Sequence, residues 1–170
     1  MYLFFNVYSS PVPQPRPKVT RKLRVYYPGP INAFKTDVYV AAQREMFYTN
    51  QDRVDNKPVY VSIAFVKSAK SPIAPRFGDI DNLAKGVLDA MNGLVYADDR
   101  QVVGAHFFKA CTKGDKEWVD VFVTDGIKDY LEYLREYSTK YIQPLADNKL
   151  CLHPRNFIVD EPERCHSDID

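Results

Sequence analysis

The chain has 170 residues and a net charge of +1, a size that suits one domain with its own hydrophobic core. Apolar residues make up 45% and aromatics 14%, which excludes a disordered chain, and no apolar run is long enough to cross a bilayer. Cys111, Cys151 and Cys165 are odd in number and widely spaced, which excludes a disulfide framework.

In chain order, the N-terminal MYLFFNVYSSPVPQPRPK is apolar first and basic later. A secretory signal has the opposite order, so a cytoplasmic protein is expected. Residues 2–8 read as a strand, and the proline-rich SPVPQPRPK as an extended loop, because proline cannot donate to a ladder. A short strand is expected over 23–27, ended by Pro-Gly-Pro. Residues 32–49 read as a helix capped by Asn32, with Val38, Ala41, Ala42 and Met46 at helical spacing.

VYVSIAFV (59–66) alternates Val59, Val61, Ile63 and Phe65 on one face, which predicts a half-buried strand. A loop over 68–78 follows. A helix starting near Asp81 as its N-cap turns Leu83, Ala84, Val87, Leu88 and Met91 inward and ends at Asn92-Gly93. Residues 102–110 and 118–124 read as two strands joined into a hairpin by TKGDKE. From 127, Ile127, Tyr130, Leu131, Leu134, Tyr137 and Tyr141 fit a helix that packs in the core or a dimer and stops at Pro144. Residues 147–170 form a charged tail with little periodicity. Helices mixed with strands in this order predict an α+β fold, a small mixed β-sheet packed against helices with a C-terminal helical extension.

Charge is uneven along the chain. Residues 1–57 hold nine Lys/Arg against four Asp/Glu, whereas residues 125–170 hold six against ten. Arg16, Lys18, Arg21, Lys22 and Arg24 concentrate the basic excess, and read either as a solvated loop or as an arm that contacts phosphates.

The chemistry concentrates in GDIDNLAKGVLDAMNGLVYADDRQ, residues 78–101. Asp79 and Asp81 stand at the mouth of the helix, where the macrodipole favours carboxylates, and Asp98-Asp99 follow it. Were these acids to meet, within one chain or across two subunits, they would need protons or a metal. An all-oxygen donor set points to Mg²⁺ or Mn²⁺, ions that act on phosphoryl groups. Lys85, four residues after Asp81, reads as an i,i+4 salt-bridge partner, continued to Asp89, or as a cation for the scissile phosphate. A calcium loop is excluded by Leu83, Ala84 and Ala90, and a phosphatase D-x-D-x-T by Leu83. Cys151, His153, Cys165 and His166 do not match a zinc-knuckle spacing and read as ordinary tail residues.

The ordered pattern D-I-D-N-L-x-K-x-V-L-D-A-M-N-G-L-V-Y-x-D-D-x-Q, from Asp79 to Gln101, resembles the core signature of the RusA-type Holliday junction resolvases. PVPQPRPKVTR resembles the opening of that family, and the likeness of organisation covers roughly residues 1–124. It implies a nuclease core over 1–124, followed by a C-terminal helix and acidic tail over 125–170. It implies a small homodimeric endodeoxyribonuclease that binds four-way DNA and cuts two strands symmetrically with Mg²⁺ or Mn²⁺, in recombination and repair. Many members of the family are encoded by phages or prophages. Carried over by position, Asp79, Asp81 and Asp99 would bind the metal, with Asp98 the adjacent candidate and Lys85 the catalytic lysine. Arg16, Lys18, Arg76 and Asn82 would contact DNA. The family usually carries Lys, Arg or Pro where this chain has Gly78, and the acidic tail has no counterpart. Three other readings stand beside the resolvase: a branched-DNA binder without cleavage, a flap or fork nuclease, and a structural protein whose acids only cap and turn.

Overall fold

The computed structural model describes residues 1–15, 18–19, 25–26, 29–68, 78–112 and 114–137, with the backbone alone at 18–19, 25–26 and 111. The expected helix end at Pro144, the tail, and the Cys/His set at 151–166 lie outside the described residues, as do Arg16 and Arg76.

Chain order is β1 (Tyr2–Val7), β2 (Lys18–Val19), β3 (Val25–Tyr26), α1 (Gly29–Tyr48), β4 (Val59–Ser68), α2 (Ile80–Met91), a 3-10 turn (Asp99–Gln101), β5 (Val102–Thr112), β6 (Trp118–Thr124) and α3 (Ile127–Tyr137). Four strands form one sheet in the order β1-β6-β4-β5, while β2 and β3 pair separately. β6 runs antiparallel to both β1 and β4, and β5 runs parallel to β4. The sheet is therefore mixed and the fold α+β, as expected. A parallel neighbour needs a crossover, and α2 supplies it between β4 and β5.

Several expectations are corrected. β5 and β6 do not form a hairpin, because β4 lies between them. Their short link passes over the end of β4, where Ser68 holds it: the Ser68 hydroxyl donates to the Gly114 carbonyl (2.7 Å) and its amide to Glu117 (3.2 Å). β4 is not half-buried either. Val59, Val61, Ile63 and Phe65 are fully buried on one face, and Ser62, Ala64 and Val66 are buried on the other. A strand covered on both faces takes partners at both edges.

Helix α1 starts at Gly29 rather than at Asn32, with Pro30 in its first turn, where a missing N–H costs nothing. The segment read as loop through Lys18 contains β2. α3 presents Tyr130 and Tyr137 to the sheet and leaves Ile127 and Leu131 exposed.

α1 and α2 cover one sheet face. Their Ile31, Phe34, Val38, Leu83, Val87 and Met91 share a single core with Leu3, Phe5 and Val7 of β1 and the inward residues of β4 and β6. α3 covers the other face with aromatic rings: Tyr133 stacks on Phe122 at 4.0 Å between centroids, and Tyr130 on Tyr60 at 5.2 Å. Burying a residue such as Leu83 is worth several kcal/mol, on the order of 2–5 when truncated to alanine, and this core fixes the direction of α2. No helix among the described residues is long and apolar enough to cross a membrane.

Candidate active site

α2 is the element on which the acids are arranged. Its N-cap is Asp79, not Asp81, which stands in the first turn. The Asp79 backbone carbonyl accepts from Leu83 N–H at 3.0 Å, but its side chain makes no capping bond. Asn82 Nδ2 lies 3.5 Å from Asp79 Oδ2, a long contact at the limit of hydrogen bonding. Asp79 and Asp81 are both exposed, and among the described residues neither has a salt-bridge partner. Their carboxylates are thus open to a ligand at the positive end of a helix.

The residues around them are held tightly. Pro13 lies against Gly78 so closely that a Cβ there would meet its ring at 2.7 Å. The Gly78 carbonyl accepts from Lys109 of β5, and Gln14 N–H donates to the Asn82 carbonyl at 2.9 Å. Gly78, the departure from the resembled pattern, therefore has a packing reason.

Lys85 pairs not with Asp81 but with Asp89 one turn further on, at 3.3 Å. Asp89 also pairs with Lys35 of α1 at 2.9 Å. Partial burial pushes the Asp89 carboxyl up, but the hydrogen bond and charge of Lys35, a hydrogen bond from Gln14 and the charge of Lys85 outweigh it and hold it below its ordinary value. Lys35 and Gln14 escaped sequence reasoning because they sit 54 and 75 positions from Asp89, with no periodicity to connect them.

Beyond the far end of α2, Gly93 adopts φ +79° and turns the chain, as expected of Asn-Gly. The following segment is pinned to Val54 by backbone bonds from Val54 N–H to Val95 and from Ala97 N–H to Val54. Tyr96 is fully buried and its hydroxyl donates to the Leu88 carbonyl at 2.8 Å. Burial first, then the nearby charges of Asp99 and Asp89, push its phenol up.

Asp98 and Asp99 differ. Asp98 caps the 3-10 turn, accepting from Arg100 N–H at 2.9 Å, while its own N–H donates to Gln101 Oε1 at 3.0 Å. Both its oxygens also meet the Arg100 guanidinium, at 2.9 and 2.7 Å. That side-chain bond, with the Arg100 amide, holds the Asp98 carboxyl well below the usual carboxylate range. Asp99 is exposed beside it.

The two acid pairs are not brought together within the chain. They flank opposite ends of a 12-residue helix, ~18 Å long at ~1.5 Å per residue. Among the described residues no group of three or more His, Cys, Asp or Glu is placed to share a metal. Of the expected DNA contacts, Asn82 is half-buried in the first turn of α2, the side chain of Lys18 is not described, and Arg16 and Arg76 lie outside the described residues.

The model of the endodeoxyribonuclease RusA family matches residues 9–141, which span every element of this site. The chain belongs to that family. A Bacillus subtilis (strain 168) protein, the uncharacterized protein YqaN, is 33% identical over 114 residues, covering 80% of its own length and 58% of this chain.

The donor set fits a hard cation. Mg²⁺ is held by one or two carboxylates, with phosphate and water oxygens completing its shell, and Asp79 with Asp81 offers such a pair without competing His or Cys. Asp98 is a poorer donor than Asp99, since both its oxygens are already engaged by Arg100.

Proposed function

We propose that this RusA-family protein is a Mg²⁺- or Mn²⁺-dependent endodeoxyribonuclease that resolves four-way (Holliday) junctions by paired, symmetric strand cleavage, acting as a homodimer in DNA recombination and repair in the cytoplasm. The observation that carries the reading is the exposed carboxylates of Asp79 and Asp81 at the N-terminus of α2, without a salt bridge among the described residues and with no capping bond from Asp79. Exposed carboxylates at the positive end of a helix are available to a cation brought in with phosphate.

The separation of the acid pairs favours a dimer. In a two-fold, antiparallel arrangement of α2 helices, the N-terminal pair of one subunit would face Asp99 of the other. Each dimer then holds two equivalent sites, which suits two symmetric nicks. When bound, the cation supplies polarisation of a phosphoryl oxygen and a more acidic attacking water. Asp79 and Asp81, with Asp99 contributed by the second subunit, would hold it, and Lys85 would offer its ammonium to the scissile phosphate. Asn82 lines the approach beside Asp79. Arg16 and Lys18 follow Gln14, which is bonded to α2, within a few residues, and with Arg76 they serve as phosphate contacts. Residues 1–124 form the nuclease core, and 125–170 an extension whose first part, α3, closes the second sheet face.

The test is incubation of the purified protein with a labelled immobile four-way junction, a flap and a linear duplex, with Mg²⁺ and with EDTA. Paired symmetric nicks on the junction alone, dependent on metal, are expected. Tight binding without nicks in any metal would make the protein a junction binder, and cleavage confined to the flap would make it a flap or fork nuclease.

A further inference from the structure

Asp89 carries two lysines on two separate oxygens: Lys35 of α1 on Oδ2 at 2.9 Å, and Lys85 on Oδ1 at 3.3 Å. The two pairs are unequal. Lys35 and Asp89 are sheltered between the helices, with side chains 28% and 25% exposed, whereas Lys85 is 58% exposed on the longer bond. A third group completes the set. Gln14 is more than nine-tenths buried and helps to hold the Asp89 carboxyl below its ordinary value. Its buried Oε1 finds no partner.

The arrangement has a consequence for Lys85. A lysine leaving a lone, partly buried carboxylate strands an unpaired charge, which is costly. A lysine leaving a carboxylate that keeps a second lysine and an amide strands nothing, and an exposed pair of this kind is weak to begin with.

We propose that Lys35 and Gln14 are positioning residues for Lys85: they hold Asp89 as an already partnered carboxylate, so that Lys85 is free to swing from it to a DNA phosphate. This rests on the reading of Lys85 as the phosphate-facing cation. In the DNA-free protein Asp89 holds Lys85 on the turn of α2 that follows it. When DNA arrives, the Lys85–Asp89 bond is exchanged for one to phosphate, and Lys35 keeps the charge of Asp89 balanced.

The test separates release of Lys85 from simple support of the fold. Single-turnover cleavage of a saturated four-way junction, junction affinity without cleavage, and Tm are measured for K35M, K35R, Q14L, D89N and K35M/D89N, with K85A as reference. Removing a sheltered partner of this kind is expected to slow K35M cleavage roughly tenfold, with affinity held within about twofold, and Q14L by a smaller factor. K35R should recover most of the rate. In the D89N background the K35M loss should vanish, since no carboxylate remains to retain Lys85. Wild-type cleavage by K35M while K85A is slow would overturn the proposal, as would a loss that persists in D89N. A weaker junction affinity at unchanged saturated rate would make Lys35 a phosphate contact and also overturn it.

A second measurement does not depend on cleavage. Acylation of the Lys85 amine, which must first leave its ion pair and lose a proton, followed by mass spectrometry against Lys57 as internal standard, reads how firmly it is held. Lys85 should react more slowly in K35M than in the wild type, and faster in D89N. Equal labelling in all three would overturn the proposal. A wild type that cuts no branched DNA would fail the reading of function by itself, while the labelling result would still decide whether Lys35 governs Lys85.

Discussion

A pair of aspartates opens α2 and another follows it, and among the described residues only one of the four, Asp98, is paired with a cation. At the N-terminal end, Asp79 and Asp81 are exposed and make no ion pair among the described residues, and Asp79 makes no capping bond. Beyond the C-terminal end, Asp98 is fully engaged by Arg100 and by the cap of a 3-10 turn, and Asp99 beside it is exposed. A pair of acids in sequence is therefore not a functional unit by itself. Hydrogen bonds divide Asp98, which shapes a turn, from Asp99, which faces outward, although the two are neighbours and chemically identical.

The comparison can be broken most decisively at the N-terminal end. Asp81→Asn is expected to reduce junction cleavage by a factor of about 1,000, on the order of removing one strong electrostatic contribution to a transition state. Junction binding should hold or tighten, because a negative charge near phosphate is gone. A gel assay of cleavage beside a binding titration checks both, and a mutant that cuts at the wild-type rate would remove Asp81 from the site.

The far end gives the sharper contrast. Asp99→Asn should lose cleavage about 100-fold with little change in Tm, as a lost metal ligand does. Asp98→Asn should do the reverse, keeping cleavage while losing only a small part of Tm with the exposed Arg100 pair, since Asn still caps the turn. Equal cleavage by the two mutants would dissolve the distinction drawn between them.

Geometry at the N-terminal end is tested by Gly78→Ala. The new methyl meets Pro13, and overpacking of this kind costs about 1–3 kcal/mol, read as a lower urea midpoint. Cleavage should fall further than stability alone explains if the position of Asp79 matters.

The smallest effect is one of pH. The Asp89 carboxyl lies below its ordinary value in the folded protein. Its contribution to stability is therefore complete above the unfolded value, about 3.9, and is lost as pH falls through the lower folded value. Urea midpoints between about pH 5 and pH 2.5 should show a shallower acid decline in K35M than in the wild type. An unchanged slope would show that Lys35 contributes nothing to holding Asp89 charged.

Much of the fold could be read from local pattern. The inward faces of α1 and α2, strand β6 from 118 to 124 and the turn at Gly93 follow from periodicity and from glycine's tolerance of positive φ. What misled was the choice of strand partners. A polar link between two strands predicts a hairpin, yet β4 is apolar on both faces and takes both edges, and this separates β5 from β6. Nothing within residues 102–124 contains that information. α3 likewise carries apolar residues on more than one face, and the aromatic surface of the sheet selects its tyrosines.

By itself the sequence determined the family signature from Asp79 to Gln101, the oxygen-only donor set and the periodicity of the helices, because each depends on residue type and spacing along one chain. Packing decided that β4 separates β5 from β6 and that Lys35 of α1 reaches Asp89 of α2. These are contacts between groups whose separation in sequence or whose choice of partner is set only when helices and sheet pack, and no local propensity encodes them.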